Sequence, residues 1–215
     1  MNEPPDTSES TAERLLEAAR RVFASKGFAG ASIREITSAA GANLGAVTYH
    51  FGSKQGLYDA VLERAFRPLL DRLAEAQGEP GDSVLDVVEQ RVRLVFDHLD
   101  ANPDLQFLVV QQITSTTLPT VAATTFAAIF GGLADRIAEG QRRGEIREGD
   151  PLLMAISVIS QPAYFGLIAR YVLSRLPLPG GAPSWDRIVE HGVAFVRAGL
   201  ETRNGSDARK REVGP

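Results

Sequence analysis

Hydroxyl, phenol, imidazole and ammonium side chains are concentrated in one short part of this sequence. Thr48, Tyr49 and His50 follow one another, and Ser53 and Lys54 come directly after them. Such groups exchange hydrogen bonds with phosphate oxygens and with the polar edges of bases, and the ammonium adds a positive charge. The chemistry that this cluster predicts is therefore recognition of a nucleic acid.

Two short helices joined by a tight turn are predicted to position these groups. Ser32 and Glu35 have the spacing of a capping box and open a helix that stops at Gly41. A second helix is predicted over about 44–50, with Asn43 as its N-cap. Helix, turn and helix in this order are typical of a motif whose second helix enters the DNA major groove.

A preceding helix is expected to brace this pair. Ser10 and Glu13 repeat the capping-box spacing, and Gly27 suits the residue just past the end of that helix. Val47 and Phe51 lie four residues apart and are expected to face inward from the second helix of the motif.

The remaining small and polar residues of the motif have expected roles of their own. Gly45 and Ala46 allow the backbone to approach DNA, and Ala46 is expected to contact a thymine methyl group. Ser53 and Lys54 open the next helix, where free amides, the helix dipole and an ammonium favour a phosphate. Plainer alternatives stay open, because Tyr49 can serve packing alone and His50 can cap the short helix.

The charge is distributed unevenly along the chain. The 215 residues have a net charge of −4, but residues 10–56 contain six lysines and arginines against three glutamates, a balance of +3. The rest therefore carries −7. A basic N-terminal quarter on an acidic body is expected where only one end of a protein meets phosphate.

Several other classes of protein are disfavoured by the composition. There are no cysteines, and the three histidines are scattered, so neither a thiolate site nor a metal site is expected. No phosphate-binding loop, dinucleotide-binding glycine pattern, nucleophile elbow or His-Glu-x-x-His motif is present, so no enzyme and no cofactor is predicted. The acidic, polar N-terminus does not resemble a signal peptide, and a cytoplasmic location is expected.

Periodicity predicts an all-α fold of about nine helices. After the motif, a helix over about 53–76 contains Pro68, which predicts a kink or a break. Further helices are expected at about 82–100, 103–114, 119–143, 150–176 and 184–203. The predicted divisions are a disordered arm at 1–10, a three-helix DNA-binding domain at 11–57, a helical effector-binding and dimerisation domain at 58–203, and a disordered tail at 204–215.

The motif resembles the DNA-binding domain of TetR-type transcriptional regulators. The likeness is carried by Ile-Arg-Glu-Ile-Thr-Ser-Ala-Ala-Gly-Ala (33–42) and Gly-Ala-Val-Thr-Tyr-His-Phe-Gly-Ser-Lys-Gln-Gly-Leu (45–57). It covers about the first quarter of the chain. Thr48 departs from the family, many members of which have tyrosine there. The run 158–170 is also somewhat similar to the C-terminal domain of the CecR-type subgroup.

The resemblance implies a homodimeric repressor of transcription that binds double-stranded DNA at a palindromic operator and senses a small-molecule effector. It implies that Arg34 and the 44–50 segment face DNA, although Arg34 also fits a solvated surface cation. The alternatives are a helical enzyme and a dimeric module that uses the motif for protein contact. The expected DNA-contacting residues are Ser32, Arg34, Asn43, Leu44, Gly45, Ala46, Thr48, Tyr49, His50, Ser53 and Lys54.

Residues 105–134 contain no charged side chain, but they do contain several threonines and glutamines. Apolar walls with a few polar groups are typical of a small-molecule cavity, and an ordinary core is the alternative. The candidate lining residues are Arg91, Phe107, Gln111, Thr114, Thr125, Gln161 and Tyr164.

Residues 151–169 form a second uncharged stretch, just long enough to span a membrane. Pro162 and the polar residues within it instead favour a helix that packs on its own domain and on a partner subunit at once. No membrane association is expected. With the apolar segment 184–199 it predicts a four-helix dimer face, at which Gly192 and Gly199 allow close approach.

Overall fold

The computed structural model describes residues 10–79, 81–113 and 120–202, except for the side chains of Gln112 and Ile113. Over these residues the chain forms nine α-helices and one isolated β-bridge, between Ile146 and Glu201, so the all-α prediction is confirmed. Residues 1–9 of the predicted arm and the whole predicted tail lie outside the described residues, whereas Ser10 is described. The helices are α1 (Thr11–Gly30), α2 (Ile33–Ala39), α3 (Gly45–Phe51), α4 (Lys54–Glu75), α5 (Val84–Ala101), α6 (Leu105–Ile113), α7 (Thr120–Arg142), α8 (Pro151–Tyr171) and α9 (Trp185–Leu200).

Local signals in the sequence locate the ends of α1. The Ser10 hydroxyl accepts a hydrogen bond from the Glu13 amide at 3.2 Å, and the Ser10 amide donates to the Glu13 carboxylate at 3.1 Å, so this capping box is confirmed. Gly27 has a φ of +72°, which interrupts the helical path where the sequence predicts an end. Glycine suits this position because a side chain in the left-handed region is strained.

Two local predictions are only partly met. Ser32 caps α2 by accepting from the Glu35 amide, but the Glu35 carboxylate pairs with Lys26 at 2.7 Å instead of completing a capping box. α4 runs without a break through Pro68. The proline removes one helical donor, and the rest of the 22-residue helix holds the continuous path.

The chain divides into two compact units. The first comprises Met1–Pro68 and Asn102–Thr124, and the second comprises Leu69–Ala101 and Thr125–Pro215. α4 begins in the first unit and ends in the second, so this division differs from the division at residue 57 that the motif suggests.

In the first unit α1 is the central helix, in contact with α2, α3 and α6. Its Phe23 ring is fully buried and meets Tyr58 of α4 edge-on, with the ring centroids 4.7 Å apart. Leu105 and Leu108 of α6 are also fully buried. The motif thus packs on α1, which is itself held in place by apolar burial, the main favourable term in folding.

In the second unit α5 packs on α8 and α9, which also contact each other. The core is formed by aliphatic residues around Phe96 of α5, with Leu133 and Ile137 of α7 among them. At the edge of this core Arg197 of α9 forms ion pairs with two residues of α5, Asp86 at 2.9 Å and Glu89. These exposed ion pairs contribute little individually, and the apolar core carries the fold.

The role expected for α9 needs correction. Ile188, Val189, Val193 and Val196 are buried in the core of their own protomer and are not free for a dimer face. A Cβ at Gly192 would lie 2.8 Å from the Phe96 ring, so Gly192 allows close packing on α5 and not on a partner subunit. A Cβ at Gly199 meets nothing within 4 Å, so Gly199 stays available for a partner. Spacing alone does not distinguish these two faces.

α7 and the segment Pro151–Arg175 are long and apolar enough to cross a membrane by length and composition. Both also contribute to the core of the second unit, α7 through Leu133 and α8 through Met154 and Ala155. Core helices of soluble proteins pass the same criterion.

Candidate DNA-binding site

The angle between α2 and α3 is fixed by buried aliphatic side chains. Ile36 of α2 and Val47 of α3 are both fully buried, and Phe51 is half-buried, as the spacing predicts. In the turn between them Gly41 has a φ of +60°, and the Ala42 amide donates to the Thr37 carbonyl at 2.9 Å. The turn and these buried side chains therefore fix the position of α3 relative to α2. The face of α3 opposite Val47 points outward.

The outward face of α3 carries the side chains that the sequence singles out. Thr48, Tyr49 and His50 are all exposed, and Tyr49 is 85% exposed. The Tyr49 and His50 rings meet edge-on with their centroids 4.8 Å apart. An aromatic side chain so exposed contributes little to folding, so it is free to contact another molecule.

Two expectations at α3 are wrong. Ala46 is 7% exposed and packs inward, so its methyl group is not available to a thymine. Asn43 does not cap the helix: the N-cap is Leu44 in a helical conformation, and no side chain caps this end. The Asn43 carbonyl accepts from the Ala46 amide at 3.1 Å. Leu44, 55% exposed, and Gly45 extend the outward face.

The start of α4 lies directly after this face. The Ser53 hydroxyl accepts a hydrogen bond from the Gly56 amide at 3.0 Å, and so it caps the helix. The Lys54 ammonium lies 4.6 Å from the centroid of the Phe28 ring. This cation–π contact holds the side chain in a half-buried position and leaves its positive charge uncompensated.

Most cations of the first unit already have partners. Arg20 forms a bidentate pair with Asp104, which directly precedes α6, with both distances 2.6 Å. Arg21 pairs with Glu17 at 3.4 Å, Lys26 with Glu35, and Arg14 donates to the Ala40 carbonyl. Within the described part of the chain, Arg34 and Lys54 have no carboxylate within ion-pair distance. Arg34 on α2 and Lys54 at the start of α4, which flank α3 in the sequence, therefore carry positive charge that no described carboxylate compensates.

The pair between Arg20 and Asp104 is a feature that sequence reasoning missed. Arg20 also donates to the Asn102 side chain at 2.9 Å, so two residues of the segment that precedes α6, Asn102 and Asp104, are held against α1. The hydrogen bond from Arg20 lowers the pKa of Asp104, and the charge of Arg20 lowers it further against the opposing effect of burial. No local pattern indicates this contact, because its partners are 84 residues apart.

The candidate ligand-binding residues do not meet in one place. Arg91 is 8% exposed and lines a cavity of about 360 Å³ in the second unit, whereas Gln161 lines another of about 250 Å³ beside Phe195. Phe107 and Gln111 belong to the first unit. Thr125 is buried, Tyr164 is 61% exposed and Thr114 lies outside the described residues.

Comparison with known proteins agrees with this geometry. Residues 15–61 match the profile of "Bacterial regulatory proteins, tetR family". The transcriptional repressor NicS of Pseudomonas putida is 26% identical over 171 residues, which cover 78% of this chain and 80% of NicS. The transcriptional regulator TtgR of the same species is 26% identical over 211 residues, covering 89% and 94%.

Solved structures share the fold. The chain is similar to SmeT, the repressor of the Stenotrophomonas maltophilia multidrug efflux pump SmeDEF, with a TM-score of 0.70 and 20% identity, over 91% of this chain and 93% of SmeT. Proteins of this family regulate transcription and are not enzymes. They bind DNA operators and form dimers. The matched segment contains the exposed face of α3 together with Arg34 and Lys54, so residues 15–61 are a DNA-binding domain of the tetR family and the chain is a TetR-like DNA-binding transcriptional regulator.

Proposed function

We propose that this protein is a cytoplasmic repressor that binds a palindromic operator as a homodimer and releases it when a small molecule binds. The observation that carries the proposal is the exposed face of α3 between Arg34 and Lys54. A polar aromatic surface flanked by uncompensated cations suits a duplex, whose phosphates lie on both sides of the groove that a helix enters.

The side chains at this face have distinct proposed tasks. Arg34 and Thr48 contact base edges, and the backbone at Gly45 approaches the groove closely. Tyr49, His50, Ser53 and Lys54 contact phosphates. Ser32, Asn43 and Leu44 complete the contact surface.

The proposed dimer face lies on α8 and α9. Only 28% of an 18-residue apolar stretch within Pro151–Arg175 is buried within one protomer, and Leu152, Leu153, Ile156, Tyr164 and Phe195 are exposed. A second copy of the chain would cover these side chains as the four-helix arrangement requires. Dimerisation at this face would place the two α3 helices about 34–36 Å apart, one turn of DNA.

The proposed division of labour assigns residues 11–57 to DNA and 58–203 to dimerisation and effector binding. An effector changes operator affinity only by binding one form of the dimer more tightly than the other. Repression is proposed because NicS and SmeT are named repressors.

The test measures binding to an inverted repeat from the protein's own promoter by fluorescence anisotropy over a series of salt concentrations. The wild-type dimer should bind, and affinity should fall steeply with salt. Tyr49→Ala should weaken binding about 5- to 100-fold on specific and non-specific duplexes alike, because it removes a phosphate contact.

The control is Glu148→Ala, which removes an exposed side chain from a loop of the second unit, outside α8 and α9, and should leave DNA binding unchanged. A protein that ignores every inverted repeat at low salt, but pulls down a protein partner through α3, would support the protein-contact alternative and overturn the proposal.

A further inference from the structure

Arg91 of α5 is a buried cation for which the described residues supply no partner. Its side chain is 8% exposed, and among the described residues it has no hydrogen bond and no carboxylate within ion-pair distance. A buried charge without a partner costs several kcal/mol by comparison with a solvated one. Such a group is retained at a position where it has a function more often than where it serves packing alone.

The space in front of Arg91 is a cavity of about 360 Å³, which we call the Arg91 cavity. Its apolar wall is formed by Leu70 and Leu73 of α4 and by Ala128 and Gly132 of α7. A Cβ at Gly132 would lie 3.3 Å from Nη2 of Arg91, so the backbone of α7 comes close to the guanidinium because this residue is glycine. Ala128 is exposed, which gives the cavity an opening to solvent.

The other charged groups of the cavity do not neutralise Arg91. Arg136 also lines it, but its charge is compensated by Glu139 at 2.9 Å. The exposed Asp135 forms no ion pair with either arginine. The pKa of Arg91 is lowered by burial and by the nearby charge of Arg136, yet an arginine remains protonated in a protein. The cavity therefore keeps one positive charge that no described residue compensates.

We propose that the Arg91 cavity binds a small monocarboxylate with an apolar body and that Arg91 pairs with its carboxylate. The planar guanidinium matches a carboxylate with two parallel hydrogen bonds. One uncompensated charge suits a monoanion, and the nearby Asp135 disfavours a dianion such as phosphate. The volume equals about a dozen waters, which limits the ligand to roughly ten to fifteen non-hydrogen atoms. That this ligand is the effector rests on the function proposed above.

The experiment titrates the purified full chain with octanoate, benzoate and phenylacetate, each beside its neutral primary amide. Binding is measured by calorimetry and by the shift in Tm. At least one carboxylate should bind, and its amide should bind about 10- to 150-fold more weakly, as expected for losing a charged hydrogen bond.

The variant Arg91→Met should abolish the preference for the carboxylate. It should also raise Tm by a few degrees without ligand, because it removes an uncompensated buried charge, whereas an arginine with a structural role would lower Tm. Arg91→Lys keeps the charge and should retain part of the binding. The matched control is Arg93→Met on the same helix, whose arginine pairs with Glu190 at the surface, and it should leave ligand binding unchanged.

The inference is overturned if no carboxylate of the panel binds, if the amides bind equally well, or if Arg91→Met keeps the preference. DNA titrations distinguish this from a failure of the proposed function. A carboxylate that binds through Arg91 but does not release the operator removes the ligand switch and leaves the site standing. A protein that binds the carboxylate and no DNA overturns the DNA-binding proposal alone.

Discussion

Two cations beside α3 and one cation of the second unit, all without an ion-pair partner among the described residues, differ in their burial. Arg34 is exposed and Lys54 is half-buried, whereas Arg91 is buried. An exposed cation costs little to maintain and attracts a large polyanion through water. Burying a cation costs folding free energy, and the buried cation selects a small anion that fits its cavity. The difference in burial predicts a different kind of partner for each unit.

The comparison is tested most strongly by removing the exposed cations. The double variant Arg34→Ala and Lys54→Ala should weaken operator binding about 30- to 1,000-fold, because each of these side chains is expected to contribute about 1–2 kcal/mol to binding. The slope of log affinity against log salt should fall by about one for each phosphate that the variant no longer neutralises. Fluorescence anisotropy on the operator measures both quantities.

Its matched control is Arg21→Ala with Arg67→Ala, which removes the same charge from arginines that already pair with Glu17 and Glu63. We expect the control to lose much less affinity. An equal loss in both double variants would mean that net charge matters and that the position beside α3 does not.

A second, smaller effect concerns a buried polar group of the first unit. Gln106 of α6 is 3% exposed, and neither atom of its side-chain amide has a hydrogen-bond partner among the described residues. Gln106→Leu should raise the free energy of unfolding by about 1–2 kcal/mol, because an unsatisfied amide is replaced by an apolar group of similar size. Urea denaturation measures this change.

Arg91→Met is the matched comparison for Gln106→Leu, because both variants replace a buried polar side chain by an apolar one. Both substitutions should stabilise the protein, but only Arg91→Met should abolish the preference for a carboxylate. A Gln106→Leu variant that is destabilised would show that this amide has a role that its surroundings do not reveal.

The smallest effect is expected at Asp104, whose carboxylate pairs with Arg20 within the first unit. Its folded pKa is depressed, so its ion pair stabilises the protein above the ordinary pKa near 4 and the stabilisation is lost as pH falls through the folded value. Asp104→Asn should cost about 1–2 kcal/mol at neutral pH, and the difference from wild type should shrink below about pH 4. Urea denaturation between pH 7 and pH 3 measures it.

Glu17→Gln is the control, because its exposed pair with Arg21 should contribute about 0–1 kcal/mol. A deficit of Asp104→Asn that stays constant down to pH 3 would contradict the assigned ion pair.

Much of the fold was predictable because its signals are local. The capping box at Ser10, the left-handed Gly27 and Gly41 and the prolines between helices act on the residues next to them, so the helix positions follow from sequence. The outward position of Tyr49 was predictable in the same way, since Val47 and Phe51 specify the inner face of α3.

The features that were missed depend on which helices meet. Ala46 and Gly192 are small residues on helices, and sequence does not say whether DNA, a partner subunit or Phe96 lies against them. The isolation of Arg91 is also invisible in sequence, because it depends on which side chains surround α5 in the fold and on α7 approaching at Gly132. Asn43 resembles an N-cap in sequence, but the chain enters α3 one residue later with a helical conformation.

The bidentate pair between Arg20 and Asp104 has a consequence for the synthesis and the engineering of this protein. The N-terminal unit is discontinuous along the chain, since α6 completes it only after residues 69–101 have passed through the other unit. During synthesis the side of α1 that packs on α6 stays uncovered until α6 has been made. This lengthens the interval in which apolar surface can aggregate. A chimeric regulator that joins the N-terminal unit to the sensing domain of another protein will therefore also need residues 102–113.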